Sequence, residues 1–111
     1  MLRSSRNRLA ILLLSAIAPL ALLGADSPKK PVSIKEMKFQ PTTLEIKVGD
    51  TVVWTNNDDR DHTVVGPKDT FKSENLRPGS SYSFQFNKAG TFEYNCTYHP
   101  RMKGTIKVSD K

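Results

Sequence analysis

Gly90-Thr91-Phe92-Glu93-Tyr94-Asn95-Cys96-Thr97-Tyr98-His99-Pro100-Arg101-Met102-Lys103-Gly104 is the stretch from which the rest of this 111-residue chain can be read. Phe92, Tyr94 and Cys96 alternate with other residues, so a strand turns all three to one face and ends on the chain's only cysteine. His99 and Met102 follow at intervals of three. A thiolate, an imidazole and a thioether in one short loop suit copper, because ligand softness selects the metal and a thioether is a poor ligand for zinc, magnesium or calcium.

A single loop cannot hold four ligands alone, so another ligand and a rigid frame must come from elsewhere in the chain. His62 and His99 are the only histidines. His62 follows a polar loop over 56–61 and opens an expected short strand over 62–65. In a two-sheet sandwich that point and the loop after Cys96 can share one end. His62 then completes a Cys-His-His set with Met102 as a distant fourth ligand, and a trigonal Cys-His-His site with a weak axial Met is the arrangement of a blue electron-transfer copper centre. Each residue taken singly has a plainer reading: the cysteine a small buried hydrophobe, the methionine packing filler, the histidines solvated. The joint placement outweighs these, since the chain commits its one cysteine and both histidines to positions that can converge. Zinc would accept His62, Cys96 and His99, but closed structural zinc sites draw on more than one cysteine and do not use methionine.

The frame reads as strands and turns. Val32, Ile34, Met37 and Phe39 suggest a first strand whose alternation breaks at a bulge near Glu36. Leu44, Ile46 and Val48 alternate with Glu45 and Lys47, and a β-branched run over 51–55 carries the only tryptophan, Trp54. Arg77-Pro78-Gly79-Ser80 is a strong turn; Tyr82, Phe84 and Phe86 alternate beyond it, and Ile106 and Val108 face inward on the last strand. Residues 68–76 are the least patterned, with room for a helical turn at Ser73-Glu74-Asn75. Seven to eight short strands, with turn signals roughly every ten residues, predict an all-β fold, an antiparallel Greek-key sandwich.

At the N-terminus, Arg3, Arg6 and Arg8 precede an apolar run over 9–23, after which the chain turns polar. This order predicts a secretory signal peptide over 1–25, a polar lead-in over 26–31 and one domain over 32–111. An uncleaved anchor is the competing reading, but the apolar run contains Pro19 and falls short of the roughly 20 residues a membrane span needs. Cleavage would therefore leave no stable membrane insertion, and export points to the periplasm. Removing the three arginines lowers the net charge of +6 by three, with no basic run interleaved with aromatics, which excludes a nucleic-acid partner. A lone cysteine in an exported chain makes no internal disulfide, and its thiol needs burial or a metal.

The residues Phe39-Gln40-Pro41, Leu44-Glu45-Ile46, Gly49-Asp50-Thr51-Val52-Val53-Trp54-Thr55-Asn56, His62-Thr63-Val64 and the stretch over 90–104 together resemble the cupredoxins, the blue type 1 copper family, in its amicyanin-like and plastocyanin-like members. The short Cys-x-x-His-x-x-Met loop is similar to that of amicyanin. The resemblance implies that His62, Cys96, His99 and Met102 bind one copper ion, and that the protein is a monomer carrying single electrons between redox protein partners that dock near His99. It implies no enzymatic activity; four ligands leave no position open for a substrate. An exported copper-binding or copper-delivery module is the alternative. The chain has two kinds of departure: Thr63 stands where many members of the family have an asparagine tying the two ligand-bearing loops, and Tyr98 and Arg101 stand where amicyanin has a proline and an apolar residue. Its hydroxyl lets Thr63 make a similar bond. A hydrophobic shell of Phe39, Phe92, Tyr94 and Pro100 is expected around the metal, and Asp58, Asp59 and Asp61 set acidic charge against Arg101 and Lys103 at the docking end.

Overall fold

The structure, a computed structural model, describes residues 27–110. The signal peptide expected over 1–25 lies outside the described residues. Among the described residues, seven strands form two facing sheets. The first contains, in spatial order, β2 (Lys38–Gln40), β1 (Lys29–Lys35), β4 (Thr51–Asn56) and β5 (Ser81–Gln85). The second contains β3 (Thr43–Lys47), β7 (Lys103–Ser109) and β6 (Gly90–Asn95). β1 starts at Lys29, inside the stretch whose composition reads as a lead-in.

The sandwich predicted from alternation is present, but its sheets are mixed, where the sequence suggests antiparallel pairing throughout. β1 runs parallel to β4 and β3 parallel to β7, while the remaining pairs are antiparallel. Alternation tells which residues face inward and nothing about a neighbour's direction. Here the chain changes sheet between β2 and β3 and again between β3 and β4, so β4 returns beside β1 in the same sense.

The bulge expected near Glu36 is a hairpin turn. Glu36 and Met37 both have positive φ, 54° and 61°, and Ile34 pairs with Phe39 across the two strands. Two positive φ angles in a two-residue loop are the twist-matched hairpin turn, usually marked by Asn-Gly or Asp-Gly. Glu-Met carries no such mark. A bulge and a hairpin both bring Phe39 back to the inner face, so the apolar pattern alone does not separate them.

Val32, Ile34, Val52 and Trp54 from one sheet meet Ile46, Tyr94, Ile106 and Val108 from the other, all of them buried. Trp54 is the hub: its ring lies 5.8 Å from Phe71, 5.6 Å from Tyr82 and 5.4 Å from Tyr94. Burying an aromatic ring removes roughly 150–250 Å² from water, worth about 4–6 kcal/mol at about 25 cal/mol per Å².

Between β4 and β5 the chain forms no regular strand. Residues 62–65, expected to be one, make only isolated bridges: His62 with Leu76, and Val65 with Lys72 and Asn95. Those bridges brace the segment on both sides, because Val65 and Asn95 exchange two backbone hydrogen bonds at 2.9 and 3.0 Å. Nor is there a helical turn at Ser73-Glu74-Asn75; among the described residues the single 3-10 turn is Pro67–Asp69. Ser73 is held extended, its N–H bonded to the Val64 carbonyl and its hydroxyl accepting the Val64 N–H.

Candidate metal centre

Each ligand candidate on the loop after β6 begins a turn that ends on the next. The His99 N–H bonds to the Cys96 carbonyl at 3.3 Å, and the Met102 N–H bonds to the His99 carbonyl at 2.8 Å. A β-turn closes over three residue steps, so a spacing of three puts the loop's side chains at successive turn corners. The Met102 carbonyl then accepts the Cys96 N–H at 3.2 Å and shuts the loop at its base.

His62 arrives from the other sheet's side. Its N–H and carbonyl both pair with Leu76, at 3.0 and 2.8 Å, and its ring is fully buried. The donor atoms of His62, Cys96 and His99 lie within 4.8 Å of one another. Both histidines turn Nδ1 to the sulfur, each at 3.7 Å. Cys96 is fully buried and His99 half-buried. Met102, the fourth residue singled out in the sequence, is buried at the end of the same loop and lines, with His99, a surface cavity of about 530 Å³. Met37, Tyr98, Pro100 and Arg101 complete its walls. Two imidazole Nδ1 atoms and one sulfur, converging on one point, form a donor set that fits copper.

Two contacts reach the sulfur from Thr63: its backbone N–H at 3.4 Å and its hydroxyl at 3.9 Å. The same hydroxyl accepts the Thr97 N–H at 2.8 Å. Thr63 thus joins the segment carrying His62 to the loop carrying His99, the bond expected of it, and directs an N–H dipole at the atom that bears negative charge as a thiolate.

Sequence reasoning missed the residues behind His62. Asn56 is buried at the end of β4, and its amide donates to the carbonyls of Arg60 at 2.7 Å and Leu76 at 2.8 Å, while its side-chain oxygen accepts the Asp58 N–H at 2.9 Å. Asp58 Oδ2 lies 2.9 Å from His62 Nε2 and also accepts the Met37 N–H at 3.0 Å. Asp58 is therefore engaged with the site, where the sequence reading groups it with Asp59 and Asp61 as docking charge. The hydrogen bond from His62, above all, holds its carboxyl at about 2, below the usual 3.8, against a burial that acts in the opposite direction. An asparagine closing a strand and an acid two residues on is an Asx-turn pattern, the one signal that pointed here. Asn75 was missed too: it accepts the Tyr98 hydroxyl at 2.8 Å and donates to Asp61 at 2.9 Å, linking the neighbours of both histidines.

The expected shell is partly corrected. Phe39 and Tyr94 pack edge to face at 4.6 Å in the core, and Pro100 lines the cavity beside His99. Phe92 packs instead on Phe86, at 5.4 Å, and lines a separate cavity with Phe71, Phe84 and Lys88 near the turn that enters β6.

The chain matches the family model described as a cupredoxin-like domain over residues 8–108. It is 38% identical to amicyanin-alpha of Methylorubrum extorquens over 100 residues, covering 86% of this chain and 84% of that protein. It is 39% identical to plastocyanin of Scenedesmus fuscus over 99 residues, covering 78% of this chain and 94% of that one. Among solved structures, the Cu(I) form of an amicyanin mutant superposes with a TM-score of 0.69 at 36% identity, covering 77% of this chain and 85% of that chain.

Proposed function

This chain belongs to the cupredoxin-like family, and we propose that it is a small blue copper protein that carries single electrons between redox partners. One observation carries the reading: two imidazole Nδ1 atoms and a cysteine sulfur, drawn from two separate segments, converge within 4.8 Å at a largely buried point. In this reading His62, Cys96 and His99 hold the ion and Met102 is the weak fourth ligand.

Bound copper supplies a one-electron couple between Cu(I) and Cu(II). The chain's task is to keep its donor atoms in place through that change. His62 is fixed by its backbone pair with Leu76, Cys96 directly follows β6, and Thr63 bonds across to the ligand loop, which limits how far the donor atoms can follow a change in the ion's preferred coordination. Phe39 and Tyr94 bring apolar surface to the sandwich beneath the site and limit water. His99 is the one half-buried ring of the set, and the cavity walled by Met37, Tyr98, Pro100, Arg101 and Met102 adjoins it. A redox protein docking there would place its own centre nearest His99. We infer export to the periplasm from the basic-then-apolar order of 1–25; among the described residues no helix is long and apolar enough to cross a membrane. The protein acts as a monomer carrier and not as an enzyme.

The test is the visible spectrum of the purified protein with one equivalent of Cu(II), beside Cys96→Ser. The wild type should show intense thiolate-to-copper absorption, and Cys96→Ser should fold and lack it. Copper bound without that band in the wild type would overturn electron transfer and favour copper storage or delivery.

A further inference from the structure

We propose that Asp58 is a positioning residue for the buried histidine, selecting the ring form of His62 that turns a lone pair toward Cys96 and weighting the site toward the oxidised ion. The inference rests on the copper reading above.

A neutral imidazole carries one N–H, and an ionised carboxylate can only accept. With Asp58 Oδ2 at 2.9 Å from Nε2, the ring proton sits on Nε2, and Nδ1, 3.7 Å from the Cys96 sulfur, presents its lone pair. His62 has no access to water, so its other nitrogen has no alternative solvent partner. Remove the carboxylate and nothing at Nε2 distinguishes the two ring forms.

Asp58 is suited to this because it is itself held. Its N–H is bonded to the Asn56 side chain, its Oδ1 accepts the Asp59 N–H at 3.0 Å, and its Oδ2 accepts the Met37 N–H from the hairpin turn between β1 and β2. Asn56, fully buried, bonds in turn to two backbone carbonyls of the same region. The carboxylate thus occupies a fixed position behind the ligand, one imidazole away from the metal. A carboxylate there makes the nitrogen more basic and adds negative charge near the ion, both of which favour Cu(II) over Cu(I). Such outer partners, when mutated, typically change metal affinity by 10–100-fold.

Two variants separate geometry from charge. Asp58→Asn keeps an acceptor for Nε2–H and removes the charge; Asp58→Ala removes both. In the metal-free protein, nitrogen-15 NMR of the imidazole should report the Nε2–H form for His62 in the wild type and in Asp58→Asn, and a mixture in Asp58→Ala. With copper, Asp58→Asn should lower the ratio of Cu(II) to Cu(I) affinity about tenfold or more, read as a rise in reduction potential of about 59 mV per tenfold for a one-electron couple. Asp58→Glu should recover at least part of that ratio. A wild-type His62 carrying its proton on Nδ1 would overturn the proposal, as would an Asp58→Asn potential equal to the wild type's. Should Asp58→Ala fail to fold, the wild-type NMR result and the Asp58→Asn potential still decide. The NMR measurement uses no metal, so an absent thiolate-to-copper band would sink the copper reading while leaving the ring-form result to stand or fall independently.

Discussion

Thr63→Val tests the bond between the two ligand-bearing segments. Valine matches threonine in shape and removes the oxygen that accepts the Thr97 N–H at 2.8 Å and contacts the Cys96 sulfur at 3.9 Å. Thr63 is only 7% exposed, so no water replaces that oxygen easily. The Thr97 N–H belongs to an exposed residue and can turn to solvent, so the cost is the net worth of one hydrogen bond, about 0.5–1.5 kcal/mol. At about 1.4 kcal/mol per factor of ten, the Thr97 amide should exchange with solvent deuterium roughly 2–12-fold faster in the metal-free protein. Urea unfolding of the same protein should show a loss no larger than that range, since the two turns of the loop are closed by their own backbone bonds. Thr63→Ser retains the hydroxyl and drops a methyl, so it should keep most of the Thr97 protection. The Thr63→Val substitution retains the Thr63 N–H that reaches the sulfur at 3.4 Å, so with copper bound the loss of the hydroxyl alone should lower the reduction potential modestly. If Thr63→Ser loses Thr97 protection as fully as Thr63→Val, the methyl packs the loop and the hydroxyl does not tie it.

Two further expectations concern residues on either side of the site. The Tyr94 hydroxyl and the Trp54 indole nitrogen are buried without hydrogen-bond partners, and burial raises the Tyr94 phenol from 10.0 to about 12. Because the folded value is the higher one, ionisation of Tyr94 leaves folding stability untouched below pH 10 and lowers it as pH rises toward 12, since the unfolded chain loses its proton first. Tyr94→Phe should therefore be about 1 kcal/mol more stable at pH 8, with the gap widening by about 1.4 kcal/mol at pH 11, in urea titrations of the metal-free protein; a gap constant with pH would refute it. Met102→Gln should retain copper and show a lower potential by voltammetry, because the loop is closed by Met102 backbone atoms that the substitution leaves in place, and a harder oxygen favours Cu(II). Loss of the copper would make Met102 a principal ligand.

Much of the site was legible because its chemistry is local. Cys96, His99 and Met102 are spaced by the reach of a turn, and the structure closes those turns with backbone bonds between these same residues. His62 could be assigned from scarcity, since the chain has only one other histidine. What stayed hidden depends on partners distant in sequence. The parallel pairing of β3 with β7 joins Thr43 to Thr105, and no pattern inside either strand announces it. Asp58 looked like one of three loop acids until the fold placed its carboxylate behind His62. Phe92 marks the limit most clearly. Alternation puts it on the same face as Tyr94 and Cys96, and the structure agrees, yet a shared face is not a shared end. At about 3.3 Å per residue, four positions along a strand are about 13 Å. That distance takes Phe92 beyond contact with the metal centre and onto Phe86, so inward-facing residues become a metal's shell only within a step or two of the ligand itself.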